Sequence, residues 1–231
     1  MKASIKPKNE AQRLSALKGY NILDTLTEKE FDNITLLASE ICQTRISLIS
    51  LVDDNRQWFK SRHGLEAQET PRDISYCAHA IHEPDQIFEV EDAEKDDRFA
   101  DNPLLTGEPH VRFYAGVPLV NSEGYALGTL CVIDDKPNKL TEGQRKSMQS
   151  LAQQVMLLLE LRKKSSDLQF LEHAMDQSSE GIAWVDESAS VIHFNRQYVQ
   201  LTGYTEEVLK NKKVYDFKEI PTPQVLKTTQ K

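Results

Sequence analysis

An α+β fold built on a mainly antiparallel sheet is the architecture this sequence predicts, and three observations predict it. Hydrophobic periodicity changes along the first 135 residues from helical to β-branched runs and back, giving helix, two strands, helix, strand, loop and two strands. Short segments with turn chemistry, Asp53-Asp54-Asn55 and Asn121-Ser122-Glu123-Gly124, separate the strand candidates in pairs, as hairpins require. The composition is that of an ordinary globular chain: 231 residues, 39% hydrophobic, with 28 Lys plus Arg against 36 Asp plus Glu. At about 100 to 150 residues per domain, that length admits one or two domains.

The elements follow in order. Glu10 to Lys18 reads as a short helix. Thr27 and Glu30 have the spacing of a capping box, and Phe31, Ile34, Leu37, Ala38 and Ile41 then recur at helical intervals, so residues 28 to 43 read as an amphipathic helix. Ile46 to Val52 is dense in β-branched and aliphatic residues, and Gln57 to Arg62 reads as the returning strand. Residues 73 to 82 read as a helix capped by Asp73 or Ser75, and Ile87 to Val90 as a strand. A polar loop from Glu91 to Pro109 is long enough to suggest function. Arg112 to Val120 and Tyr125 to Ile133 complete the sheet.

A second capping box, Thr141 with Gln144, opens a helix that runs past residue 164. Met148, Leu151, Val155 and Leu158 fall at alternating spacings of three and four, the pattern of a coiled-coil seam. The seam then slips, because Arg162 and Ser165 take the next two positions while Leu161, Leu168 and Met175 define a new phase. The plainer alternative is that this helix packs on its own sheet. Beyond it come a strand (Ile182 to Val185), a turn (Asp186 to Ser190), a strand (Val191 to Phe194) and a helix from an Asn195 cap to Thr202, with Thr205 opening another turn of helix. The tail from Pro221 is polar and reads as weakly structured.

Several function classes are excluded at this stage. No apolar run approaches the roughly 18 residues of a bilayer span, so no membrane association is expected. The charged N-terminus lacks the apolar stretch of a secretory signal, which points to the cytoplasm. The net charge of -8 is concentrated in the first part of the chain, which argues against nucleic acid, since phosphate neutralisation needs clustered Lys and Arg. The one basic run, Arg162-Lys163-Lys164, reads as a solvated helix face. Cys42, Cys77 and Cys131 form no close pair along the sequence and read as reduced thiols.

The blocks Arg13-Leu14, Leu48-Ile49-Ser50-Leu51-Val52-Asp53, Arg56-Gln57-Trp58-Phe59-Lys60-Ser61, Ser75-Tyr76-Cys77-Ala78-His79-Ala80-Ile81, Asp97-Arg98-Phe99-Ala100-Asp101-Asn102-Pro103 and Gly128-Thr129-Leu130-Cys131-Val132-Ile133-Asp134 keep order and spacing across most of residues 10 to 160. In this the chain resembles the GAF domains at the front of bacterial signalling proteins. Gly181-Ile182, Val185-Asp186, Ile192-x-Phe194-Asn195 and Leu201-Thr202-Gly203-Tyr204 resemble the first half of a PAS domain, although Ser188-Ala189-Ser190 stands where a turn glycine is usual. The resemblance implies a GAF domain over 1–140, extending to about 160 with its C-terminal helix, a connecting signalling helix over 141–175, and an incomplete PAS domain over 167–231. The later helix and the three closing strands of a PAS sheet are not found. The chain is therefore either a piece of a longer receptor or carries a loose second unit that holds no ligand.

The residues argue against catalysis. A free methionine-R-sulfoxide reductase, the enzymatic GAF relative, needs a nucleophilic thiolate with a resolving thiol, and the loop Phe99-Ala100-Asp101-Asn102 offers none near Cys77. Cys77-Ala78-His79 has the wrong spacing for the Cys-His pairing that attaches bilins. Cys77, His79 and His82 stand at i, i+2 and i+5, which does not converge on a metal ion. No catalytic residues, metal or cofactor are therefore assigned, and an unidentified small-molecule ligand is expected. Candidate pocket residues are Trp58, Tyr76, Cys77, His79, Asp92, Arg98, Phe99, Asn102, Arg112 and Tyr114, with aromatic rings as walls and Arg98 or Arg112 as a clamp for a carboxylate or phosphate. For each, plain structural service is the alternative.

The expectation that results is a cytoplasmic sensory module. It binds a ligand or partner in the GAF domain and relays the state through a homodimeric helix, built on Met148, Leu151, Val155 and Leu158, to an output domain such as a histidine kinase or diguanylate cyclase. A stand-alone adaptor acting on a partner protein in trans is the alternative, favoured by the polar Arg162 and Ser165 positions of that seam.

Overall fold

The computed structural model describes residues 2–216, so the polar tail from Pro221 lies outside the described residues. The chain forms two compact units, divided between Lys163 and Lys164. The first contains α1 (Glu10–Lys18), α2 (Lys29–Cys42), β1 (Ile46–Val52), β2 (Arg56–His63), β3 (Glu69–Pro71), α3 (Cys77–Ala80), β4 (Phe88–Val90), α4 (Pro103–Thr106), β5 (Phe113–Val120) and β6 (Ala126–Asp134). The six strands form one antiparallel sheet in the order β3-β2-β1-β6-β5-β4. The helix α5 (Glu142–Asp176) begins in this unit. The second unit holds β7 (Ala183–Val185) paired antiparallel with β8 (Val191–Phe194), then α6 (Arg196–Thr202) and α7 (Glu206–Leu209).

Both faces of the larger sheet are covered, which is why every residue of β1 is buried rather than every second one. On one face Leu17, Phe31, Ile34 and Ala38 of α1 and α2 join Met148, Ala152, Val155 and Leu159 of α5 over Ile49, Leu51, Leu130 and Val132. On the other, Tyr76, Cys77, Ala78, Phe99 and Leu105 cover Leu48, Phe59, Tyr114 and Cys131. Only glycine fits at position 128. A Cβ there would lie 1.9 Å from the backbone oxygen of Ser50 on the neighbouring strand, inside a ladder that cannot open.

Four expectations need correction. The Thr27 capping box does not form: α2 starts at Lys29 without a side-chain cap. The Glu28 carboxylate is instead drawn to the Lys60 ammonium, 2.6 Å away and fully buried, and to Arg162 at 3.0 Å. The helix expected over 73–82 is broken in two, a 3-10 turn (Arg72–Ile74) and α3, because Ser75 turns extended. Its hydroxyl then accepts the amide of Ala78 at 3.1 Å. The strand β3 is too short for periodicity to reveal. Finally, Met148 and Val155 do not form an exposed seam. Both are fully buried in the chain's own core, with Leu151 and Leu158 packed partly against it. The exposed apolar positions of α5 are Leu157, Leu161, Leu168, Phe170 and Leu171.

Two charge clusters, one around the buried Lys60 and one around the half-buried Glu10, lock the first unit. Lys60, on the sheet, donates to Thr25 Oγ1, the Leu26 carbonyl and Glu28. Glu10 accepts from Arg13 at 2.8 and 2.9 Å and also from Arg72, tying α1 to the segment that enters α3. In the second unit Asn195 does the equivalent work. Its oxygen accepts the Ile182 and Tyr198 amides, and its amide donates to the carbonyls of Met175 and Glu180.

Gly128→Ala should destabilise the first unit by at least about 2 kcal/mol in chemical denaturation, because the added methyl meets backbone rather than a movable side chain. A second expectation concerns pH. Burial raises the Glu10 carboxyl, but the two guanidiniums outweigh it and hold it at about 2 against an ordinary 4.5. A depressed carboxyl stabilises the fold above the unfolded value, and that contribution is lost as pH falls from 4.5 toward 2. Glu10→Gln should therefore cost stability at neutral pH, and the gap between variant and parent should shrink as pH is lowered through this window.

Candidate functional site

The residues singled out in the sequence fall into three places. Tyr76, Cys77, His79, Phe99 and Tyr114 come together under α3. Tyr76 and Phe99 stack with ring centres 4.1 Å apart, Tyr76 lies 5.2 Å from Tyr114, and His79 meets the Phe99 edge at 4.9 Å. Phe88, which the sequence reading did not single out, completes the cluster at 6.2 Å from Phe99 and 5.9 Å from Tyr114. The Arg98 guanidinium lies over Phe88 at 4.9 Å and Phe99 at 5.3 Å while its nitrogens pair with Asp96 at 2.6 and 2.9 Å. It is therefore a cation laid on an aromatic wall and held by a neighbour two residues away.

A second set serves the loop itself. Asp92 caps the 3-10 turn Ala93–Lys95 and pairs with Arg112 at 2.9 Å, and Arg112 also reaches Glu94 at 3.0 Å. Asn102 is wholly buried. It caps α4 by accepting the Leu104 amide at 2.8 Å and donates to the Ile74 carbonyl at 3.0 Å. These are the loop's own fastenings. Trp58 is a third case and a correction: β2 alternates, so Trp58 packs with α1, α2 and α5 while Phe59 faces the aromatic cluster.

Beneath the rings lies a polar floor that the sequence reading missed. Tyr114 donates to the Cys77 sulfur at 3.3 Å and Thr129 does so at 3.1 Å, and the Cys131 sulfur is 4.0 Å away. Cys77 and Cys131 are free thiols that form a close pair across the fold where spacing along the chain shows none: one comes from α3 and the other from β6, 54 residues apart. Tyr114 can reach because a glycine follows two places on. A Cβ at Gly116 would lie 2.2 Å from the Tyr114 hydroxyl. Burial pushes the Cys77 thiol up, but hydrogen bonds from Cys131, Ser50, Thr129 and Tyr114 outweigh it and draw the thiol below its ordinary value. Burial, with Cys77 beside it, pushes Cys131 well above. Burial, then the Arg98 charge, lowers His79, favouring its neutral ring.

With this geometry established, comparison with known proteins is decisive for the first unit. Residues 27–159 match the GAF domain model. The chain belongs to the GAF domain family. Residues 169–228 of this GAF protein match a PAS domain model. A cyclic di-GMP phosphodiesterase of Pseudomonas aeruginosa is 45% identical over 131 residues, which are 57% of this chain and 22% of that protein. The chain thus matches about a fifth of the length of that relative. Among solved structures, the GAF domain of an Acinetobacter phosphoenolpyruvate-protein phosphotransferase matches with a TM-score of 0.50 at 16% identity, covering 68% of this chain and 98% of that one. The blue-light-absorbing form of the PixJ GAF domain from Thermosynechococcus elongatus gives 0.49 at 19% identity, covering 70% and 93%. At 16% identity the likeness to the Acinetobacter domain concerns the fold alone. GAF and PAS domains are sensory domains of signal transduction proteins. Among the described residues no helix is long and apolar enough to cross a membrane.

Phe99 is the keystone of the aromatic cluster, wholly buried and in contact with Tyr76, His79 and Phe88 at once. Phe99→Ala should cost about 3 to 5 kcal/mol in equilibrium unfolding. A loss under about 1 kcal/mol would show that the cluster does not hold α3 and the loop together.

Proposed function

We propose that this chain is the input segment of a signalling protein, in which the state of the GAF unit is passed along α5 to an output domain. The observation that carries this is the double character of one helix. Over Met148 to Leu159 its inner face is part of the GAF core. From Leu157 on, Leu157, Leu161, Leu168, Leu171 and Met175 form a second stripe at spacings of four, seven, three and four, with Lys164 at the intervening heptad position. A helix that is core on one side and heptad on another is mechanically coupled to both, so a change in GAF packing alters its rotation or pairing.

The second copy of this chain is the occupant proposed for the stripe. Four of its five apolar residues are exposed in the single chain, and the heptad phase is that of a two-helix seam. The seam expected from sequence is therefore shifted in phase, from Met148 and Val155 to Leu161 and Leu168. The input is a small ligand or partner acting at the aromatic cluster, where Arg98 lies at the rim as the cation for an acidic group. For the output, the 45% identity to about a fifth of a cyclic di-GMP phosphodiesterase favours turnover of a cyclic dinucleotide over phosphotransfer.

Sedimentation of the purified chain at tens of micromolar should give a dimer, and Leu161→Glu combined with Leu168→Glu should weaken association at least about tenfold, equivalent to about 1.4 kcal/mol. The relay has its own readout: Ala152→Leu overpacks the GAF core away from the stripe. It should shift the dimer constant in a variant that remains folded. A monomeric parent sinks the dimer, and an unmoved constant in Ala152→Leu sinks the coupling.

A further inference from the structure

The polar floor of the aromatic cluster is more than a way of satisfying buried groups. We propose that Cys77 and Cys131 are a peroxide-responsive dithiol, closing to an intramolecular disulfide when a hydroperoxide reaches the first unit. The pair satisfies the geometric requirement that the third cysteine does not: the two sulfurs are 4.0 Å apart, and both side chains point into the same space between α3 and the sheet. Closing that distance to the roughly 2 Å of a disulfide asks for movement of one side, and the mobile side is evident. Cys131 sits in β6, hydrogen-bonded to strands on both sides, whereas Cys77 opens a helix of only four residues.

The two thiols are also differentiated, as such a pair requires. Cys77 is the acceptor of hydrogen bonds from Tyr114 and Thr129, which stabilise its thiolate, the nucleophilic form. Thr129 and Tyr114 also act on Cys131, but burial and the neighbouring Cys77 outweigh them and keep its proton on, so Cys131 serves as the resolving thiol. The Cys77 thiolate attacks the outer oxygen of the hydroperoxide, the O–O bond breaks, and the departing alkoxide takes up the proton released when Cys77 ionised. This leaves Cys77 as a sulfenic acid. The Cys131 sulfur then attacks the Cys77 sulfur, forming the S–S bond and expelling hydroxide, which leaves as water with the Cys131 proton. In sum two thiols and one hydroperoxide give a disulfide, an alcohol and a water, with two electrons passing from sulfur to the peroxide.

Both sulfurs are buried, so the reaction waits on local opening of the cover. The cover is thin. Above α3 runs the N-terminal segment, whose Ser4 hydroxyl donates to the Ala78 carbonyl at 2.7 Å and contacts His82 Nε2 at 2.9 Å, with Lys6 paired to Asp54 at 2.5 Å. Drawing Cys77 toward β6 moves Ala78, the very residue to which this segment is fastened. Oxidation is thereby read out as release of the N-terminal segment from α3.

The experiment uses the whole reduced chain, exposed to hydrogen peroxide for timed intervals, quenched, alkylated after unfolding and mapped by peptide mass spectrometry. The expected result is a linked Cys77–Cys131 peptide that reverts with dithiothreitol. It should form at least about tenfold faster than any oxidation of Cys42, whose thiol burial pushes up to about 11 without help from hydrogen-bond donors. In Cys131→Ser the same treatment should leave Cys77 as a sulfenic acid trapped by dimedone. Thr129→Val, which keeps both thiols and removes one donor, should slow linkage several-fold. If Cys131→Ser fails to fold, the parent chain still decides. Cys77 and Cys131 remaining alkylatable, or oxidising no faster than Cys42, overturns the proposal.

Discussion

Burial of the central strands on both faces is the constraint from which the rest of the structure follows. With β1 wholly enclosed, and β6 enclosed up to its last residue, no polar atom along them can turn to water. An unpartnered buried group costs about 1 to 3 kcal/mol. Ser50, Thr129, Tyr114 and the two thiols meet that constraint collectively, by bonding to one another. Lys60 meets it by collecting three oxygens from the turn before α2. The same constraint accounts for Glu28, which stands at the start of α2 yet gives its carboxylate to Lys60 rather than to the helix amides: a buried ammonium without a counter-charge costs more than an uncapped helix end.

The two covers of the sheet differ in kind. One is three long helices with an aliphatic core, and α5 leaves it carrying a second hydrophobic stripe. The other is a patchwork of one-turn helices, 3-10 turns and a loop, held by aromatic stacking, by Asn102 and by local ion pairs. Short elements of this sort open at lower free energy than long ones. The proposed ligand entry and thiol chemistry thus fall on the second cover, and the proposed transmission on the first.

The sequence revealed the longer helices and seven of the eight strands closely, because each carries a helical period, a β-branched run or a recognisable flanking turn. It missed β3, three residues long, and α4, a single turn inside the stretch read as loop from Glu91 to Pro109, and it joined Arg72–Ile74 to α3, since a single extended Ser75 leaves no trace in a hydropathy pattern. The aromatic members of the site were legible from their chemistry. Their arrangement was not. Trp58 and Phe59 are adjacent and alike in composition, and only the pairing of Trp58 with Leu51 settles which faces which cover. The thiol pair was out of reach for the same reason, since Cys77 and Cys131 are brought together by helix-on-sheet packing rather than by spacing. The heptad of α5 was legible as two competing phases, and burial assigns the first to the core.

Strand β6 joins the two covers in a single piece of backbone. Cys131 faces the thiol pair and the aromatic cluster, while its neighbours Leu130 and Val132 face Met148, Ala152 and Val155 of α5. Alternation along a strand makes this unavoidable, because successive side chains leave the backbone on opposite sides. A shift of β6 large enough to move Cys131 therefore moves Leu130 and Val132 by a similar amount, and a close-packed core resists such movement by repacking discretely rather than deforming smoothly. The sheet is in this sense the mechanical link between the face proposed to react and the face proposed to transmit.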